Sequence, residues 1–218
     1  MTSEKDINPE NKFEHHWNKV YRKNEIDELG WFEEIPVPSL QLIEKCNLTK
    51  NAHLLNVGAG ATTLVDELLD LGYNNVTAND LSSAALGKLK ERLGEKRSEK
   101  VHWVVDDLTA SNSLCKIDKV DLWHDRAVLH FFTEENEQDA YFELLKKLVK
   151  NNGHVIIAAF NLKSAAKCSG LPINRFDENL LQEKLGDDFE LIEAFNHTYT
   201  MPSGDTRKYV YTLFNRVA

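Results

Sequence analysis

Along this chain, short unbroken apolar runs alternate with longer stretches in which apolar residues recur every three to four positions. Unbroken runs of this length suit strands buried on both faces, and the longer spacing suits amphipathic helices. The strand-type runs are His53–Val57, Val76–Asp80, Val101–Val105, Val120–His124, Val155–Phe160, Phe189–Phe195 and Tyr209–Phe214. The helix-type stretches lie between them. Asn8-Pro9-Glu10 is a helix start, with Asn8 as cap and Pro9 at the first helical position. That helix carries Phe13, Trp17, Val20 and Tyr21 on one side, and a short second helix runs from Pro38 to Cys46. Thr62 or Thr63 can cap a helix with Val65, Leu68 and Leu69 inward, and Ser82 or Ser83 one with Ala85, Leu86, Leu89 and Leu93 inward. Thr133 is expected to cap a helix from Glu134 to about Lys150, ended by Asn151-Asn152-Gly153. Asp177 caps the last helix, which ends at Leu185-Gly186.

Alternating strands and helices predict an α/β fold, a doubly wound seven-stranded sheet with helices on both faces. The last two runs are joined only by a turn at Pro202-Ser203-Gly204-Asp205. A parallel return needs a crossover of a dozen or more residues, so this pair is expected to be antiparallel. No linker, repeat or low-complexity tract interrupts the chain, and one domain over residues 1–218 is expected.

Composition narrows the class. The chain has 218 residues, 42% hydrophobic and 28% charged, which suits one soluble domain. A net charge of −9 argues against nucleic acid as a partner, because phosphate binding needs a basic surface. No apolar run approaches the ~20 residues of a membrane span, and the first residues lack a signal-peptide core, so no membrane association is expected. Cys46, Cys115 and Cys168 are scattered and cannot all pair. They read as reduced thiols of a cytoplasmic protein, and no His/Cys cluster has metal-ligand spacing.

Candidate chemistry gathers at the ends of the first three strand runs. Gly58-Ala59-Gly60 follows the first run, and Asp80 ends the second, 20 positions after Gly60. At that spacing a β-α-β unit returns a carboxylate to a nucleotide ribose. Asp106-Asp107 follows the third run, where an acid can accept from an adenine amino group. In open α/β sheets, ligands bind beyond these carboxyl ends.

With these residues together, the chain resembles the class I S-adenosylmethionine-dependent methyltransferases, a Rossmann-like fold, over roughly residues 40–218. The resemblance implies S-adenosyl-L-methionine as cofactor and S-adenosyl-L-homocysteine as product. It implies that Gly58, Ala59 and Gly60 pack against the methionine and ribose part, that Asp80 binds the ribose hydroxyls, and that Leu81 lies against the adenine. Asp106 and the Asp107 amide would read the adenine edge, with Leu108 beside them. Asp125 and Arg126 would line the methionine end and the transfer mouth. Asn56 stands where many members carry an acid, and Thr62 where many carry a third glycine. The run Asp125-Arg126-Ala127-Val128-Leu129, with Asn151-Asn152-Gly153 and Gly170-Leu171-Pro172, is similar to the thiopurine methyltransferase-like branch. The amino-terminal Trp17…Tyr21…Trp31-Phe32 run resembles that branch too and, more loosely, lysine methyltransferases.

Several residues carry two readings. His130, four positions after Arg126, is either a general base or a helix histidine satisfied by a backbone carbonyl. Arg126 either orders a site beside Asp125 or forms a structural ion pair. Trp17, Trp31 and Phe32 either cap the core or, within a helical lid over residues 1–37, cover cofactor and acceptor. Trp103 and Trp123 are expected in the core. The leading function is methyl transfer to a small-molecule nucleophile (sulfur, nitrogen, oxygen or metalloid) by a monomer or weak homodimer. Protein lysine methylation is the alternative. A nicotinamide-dependent oxidoreductase fits less well, because Thr63 occupies the last glycine position of its fingerprint.

Overall fold

The structure is a computed structural model and describes residues 12–218. The expected Asn8 cap lies outside the described residues. In chain order the elements are α1 (Lys12–Lys23), α2 (Val37–Lys45), β1 (Leu54–Val57), α3 (Leu64–Asp70), β2 (Val76–Asp80), α4 (Ser83–Leu93), α5 (Glu95–Ser98) and β3 (Val101–Val105). There follow β4 (Val120–Arg126), α6 (Glu135–Leu148), β5 (Val149–Phe160), β6 (Lys167–Cys168), β7 (Leu171–Pro172), α7 (Glu178–Leu185), β8 (Phe189–Thr200) and β9 (Thr206–Arg216).

Seven strands form one sheet in the order β3-β2-β1-β4-β5-β9-β8. The expected fold class holds: β1 pairs in parallel with β2 and β4, while β9 runs antiparallel to both β5 and β8. Strand order reverses between β1 and β4, the switch point at which such sheets place ligands. Alternate residues of the buried strands feed two cores. Leu54, Ile156 and Phe160 pack with α2, α3 and α4, whereas Leu55, Val57, Val155 and Ile157 pack with α6 and α7. This period-two division explains why β1 and the latter half of β5 read as continuous apolar runs.

Three boundaries differ from expectation. Asn151-Asn152-Gly153 does not end α6 in a loop; it lies inside β5, which starts at Val149 immediately after the helix. Fully buried Val149 pairs with Val120, and the register shifts before Leu122, so the polar triplet is a strand irregularity with Asn152 at φ 60°. The α6 cap is Glu134 rather than Thr133, and the Glu137 side chain accepts from the Glu134 amide at 3.1 Å. The final hairpin is longer than its apolar runs and carries Tyr199, Tyr209 and Tyr211, all buried. Trp123 is core, as expected, but Trp103 is only half-buried and donates to Ser98 O at 3.0 Å.

Asp125 corrects a site expectation. It is fully buried and away from the cleft described below. Its carboxylate accepts from the Val128 amide (3.0 Å), the Leu129 amide (3.1 Å) and the Tyr141 hydroxyl (2.8 Å). It therefore holds the short 3-10 turn at Leu129–Phe131 and ties β4 to α6. Burial pushes its pKa up to about 6, against the pull of those donors. With its acceptor sites turned into the protein, it cannot reach cofactor or acceptor. Asp125→Ala leaves three buried donors unmatched and is expected to lower stability by about 3 kcal/mol. Urea unfolding checks this, with Asp125→Asn, which keeps one acceptor oxygen, expected to lose less.

Candidate active site

The carboxyl end of β1 has no room for side chains. Gly58 and Gly60 have φ of +55° and +56°. A Cβ on Gly58 would come within 2.0 Å of Val128 Cγ2, and one on Gly60 within 2.3 Å of the Tyr21 hydroxyl. Both glycines are thus required by conformation and by close approach of this chain's own atoms. Gly58 lines the cleft; Ala59 and Gly60 do not. Ala59 is buried and its amide donates to Asn79 O at 2.7 Å, so these two residues shape the turn from behind. Thr62 and Thr63 do not cap α3 with their side chains: Thr62 Oγ1 donates to Ala59 O (2.9 Å) and Thr63 Oγ1 to Glu33 O (2.9 Å).

Asp80 stands at the end of β2 and lines the cleft. Its Oδ2 accepts from the Gly60 amide at 2.8 Å and its Oδ1 from the Ser82 amide at 2.7 Å. Each carboxylate oxygen has roughly two lone-pair sites, so one remains on each for a ligand hydroxyl pair. Burial pushes the Asp80 pKa up to about 6, opposed by the Ser82, Gly60 and Leu81 amides. Leu81, Asp106, Asp107 and Leu108 continue the same wall. Asp106 is less free than expected. Its Oδ2 takes the Ser111 hydroxyl and the amides of Asn112, Ser113 and Leu114 at 2.7–3.0 Å. Oδ1 has only a long bond to the Asn112 amide, 3.2 Å, and keeps acceptor capacity. Burial pushes this carboxyl up, but the loop donors outweigh it and hold its pKa below the usual range. Asp107 folds its carboxylate onto Thr109, at 2.8 Å from both the amide and the hydroxyl. Asn79, which the sequence did not single out, also lines the cleft and bridges to Val104 O and Asp106 O.

Across β1, Arg126 lines the other end of the cleft. Its Nε lies 3.0 Å from the Tyr211 hydroxyl and 2.9 Å from Glu33, and its Nη1 donates to Trp31 O at 2.9 Å. Its guanidinium carbon sits 5.1 Å from the ring centres of both Tyr199 and Tyr209. Burial opposes the charge, but Tyr211, Tyr209 and Glu33 hold the pKa above its ordinary value. The Glu33 carboxyl is pushed up by burial and drawn back by Arg126. Both readings of Arg126 thus meet in one side chain: it is ion-paired and it faces the cleft.

His130 is not in the cleft, which corrects its assignment as a base. It is fully buried between Phe131 and Phe160, with ring centres 4.5 Å from each. Neither ring nitrogen has a partner among the described residues, so the backbone-satisfied alternative also fails. Burial, then Arg126, pushes its pKa down to about 3. A neutral imidazole sealed by rings cannot relay a proton to the cleft.

The amino-terminal segment forms a wall of the cleft. Trp17 lies edge-on to Trp31 (5.6 Å) and Phe131 (5.0 Å), and Trp31 Nε1 donates to the Tyr21 hydroxyl at 3.1 Å. All four line the cleft. Tyr21 and Leu29 are buried against Ala61 and Ala85. Asn18 Oδ1 accepts from Ser82 Oγ (2.9 Å) and the Ala84 amide (3.1 Å), and the Tyr199 hydroxyl donates to Phe32 O. Cys168 reaches the cleft from the β6–β7 ribbon, which turns through Ser169 and Gly170 at φ 50° and 80°. Burial pushes its pKa up to about 11, opposed by Arg207 and Arg126.

Asn56 is turned away from this cleft. Its Oδ1 meets His124 Nδ1 at 3.0 Å, and His124 Nε2 meets Ser39 Oγ at 2.9 Å, a buried chain linking β1, β4 and α2. Burial, then Arg126, pushes the His124 pKa down to about 3, so the chain is neutral. Among the described residues, no group of three or more His, Cys, Asp or Glu could hold a metal ion, and no helix is long and apolar enough to cross a membrane.

Residues 55–155 match the family model described as a methyltransferase domain. A curated relative, EEF1A lysine methyltransferase 2 of Danio rerio, is 27% identical over 159 residues, 67% of each chain. Among solved structures, a SAM-dependent methyltransferase from Anabaena variabilis ATCC 29413 superposes with a TM-score of 0.76 at 14% identity, covering 97% of this chain and 96% of that one. The 1,6-didemethyltoxoflavin-N1-methyltransferase of Burkholderia thailandensis, solved with 1,6-didemethyltoxoflavin and S-adenosylhomocysteine, has a TM-score of 0.63 at 19% identity, covering 94% of this chain and 84% of that one. The chain thus carries a methyltransferase domain on the Rossmann-like methyltransferase fold, and it is an enzyme of the S-adenosylmethionine-dependent methyltransferase class.

Proposed function

We propose that this enzyme methylates a small-molecule nucleophile held beneath the wall of Trp17, Trp31 and Phe131. The observation that carries the reading is this wall, whose edge-to-face rings line the cleft together with Arg126. Bound S-adenosylmethionine supplies a sulfonium that activates its own methyl group. The protein's part is positioning and exclusion of water. The cofactor fits the residues present. Asp80 keeps one acceptor site on each oxygen for the two ribose hydroxyls, Leu81 and Leu108 offer apolar contact to the adenine, and Asp106 Oδ1 with the Asp107 amide suits its edge. Ala127, at φ 71°, leads the chain from Arg126 to Val128, which fills the space over Gly58. The motifs similar to the thiopurine methyltransferase-like branch support a small acceptor, and we assign the chain to that branch.

A lysine side chain of a protein is the second reading, favoured by the likeness to EEF1A lysine methyltransferase 2. Labelled methyl transfer into a cell extract separates the two. Label in a dialysable product other than S-adenosylmethionine, formed only with the enzyme present, supports the small acceptor. Label confined to protein, and recovered as methyl-lysine after acid hydrolysis, overturns it.

The cofactor roles make a further prediction. Asp80→Ala is expected to weaken S-adenosylhomocysteine binding by about 1.5–3 kcal/mol, the range for hydrogen bonds to a charged group. The ribose hydroxyls donate to the ionised carboxylate, and the free enzyme's Asp80 titrates at about 6. Below that pH each binding event must displace a proton, so affinity falls about tenfold per unit as pH drops. Calorimetric titrations from pH 5 to pH 8 check this. Asp80→Asn should flatten the profile.

A further inference from the structure

We propose that Arg126 is an oxyanion subsite for the methyl acceptor, so that the acceptor carries a carboxylate or another negatively charged oxygen near the atom that is methylated. This rests on the methyl-transfer reading and names the substrate class within it. The guanidinium is held in one pose by Glu33, the Tyr211 hydroxyl and Trp31 O, with tyrosine rings 5.1 Å away. Nη2 alone has no partner among the described residues, although the Arg126 side chain is only 7% exposed. A buried charged donor left unmatched is costly, and the residue carrying it lines the cleft. A donor already immobilised loses little freedom when a carboxylate or similar oxygen takes its hydrogen bond.

Position assigns this donor to the acceptor rather than the adenosine. Asp80 and Asp106 stand at the ends of β2 and β3, while Arg126 ends β4 on the far side of β1. Two strand spacings separate the ends of β2 and β4, about 10 Å. Among the described residues that line the cleft, Arg126 carries the one cationic side chain. His130 and His197 nearby are both pushed toward the neutral form by burial and then by Arg126. The Glu33 carboxylate already balances the charge of Arg126, and what an acceptor oxygen adds is the lone pair that Nη2 lacks and that a lysine ammonium cannot supply.

The test uses the full chain and three probes of one shape: benzoate, benzamide and benzylamine. S-adenosylhomocysteine is added first, and its thermal shift tests the cofactor reading by itself; no shift overturns that reading and this proposal with it. The loaded protein is then titrated calorimetrically with each probe. Benzoate is expected to bind at least tenfold tighter than benzamide, with benzylamine weakest. Failure of benzoate to bind, equal binding of benzamide, or tighter binding of benzylamine overturns the proposal. This ranking needs no variant, so it stands even where substitution of Arg126 impairs folding. Arg126→Lys, if folded, should lose most of the benzoate preference. If instead it weakens S-adenosylhomocysteine but not 5′-methylthioadenosine, which lacks the amino-acid portion, then Nη2 serves the cofactor carboxylate and the acceptor assignment falls.

Discussion

Everything at the working end of this sheet depends on the absence of side-chain volume at Gly58 and Gly60. Val128, from the turn after β4, occupies the space above Gly58, and the Tyr21 hydroxyl, from α1, occupies that above Gly60. Asp80 then reaches back from β2 to the Gly60 amide at 2.8 Å. Three elements distant in sequence therefore converge on one turn. A Cβ there would push away Val128, just after the strand that carries Arg126, and Tyr21, on the helix that carries Trp17. The left-handed φ values and the close approaches are two aspects of the same requirement.

This convergence explains what the sequence made legible. The pairing of Gly60 with Asp80 follows from the length of one β-α-β unit, a local property, and it was readable from spacing. So were the antiparallel final strands, because a short turn permits no crossover. Asp125 and His130 were not legible. The spacing of His130 from Arg126 suggested one turn of α-helix, but Arg126 ends β4 and the chain makes a 3-10 turn at Leu129–Phe131, which rotates side chains differently. Asp125 becomes the cap of that turn, and His130 falls between Phe131 and Phe160. The surroundings of Arg126 were equally hidden. Trp31 lies 95 residues before it and Tyr211 85 after it, and no periodicity reports contacts at such separations.

Two buried carboxyls, Asp80 and Asp125, share a pKa pushed up to about 6, yet they differ in function. The distinction lies in where their unused acceptor sites point. Asp125 spends its oxygens on the amides and hydroxyl that hold β4 to α6. Asp80 accepts from the Gly60 and Ser82 amides and yet lines the cleft. A perturbed carboxyl is thus a pointer to a site only when its geometry leaves it incomplete.

The same criterion bears on Asn56, which the resemblance set against an expected acid. An amide there accepts nothing from the cleft; it meets His124, which meets Ser39. An acid at this position would draw a proton onto His124, placing a buried ion pair where burial, and then Arg126, keep the imidazole neutral. The neutral amide avoids that conflict. The charge of the cleft then rests with the groups that line it, the acids Asp80, Asp106, Asp107 and Glu137 and the guanidinium of Arg126. The Asn56–His124–Ser39 chain therefore joins β1, β4 and α2 without adding a charge next to Arg126.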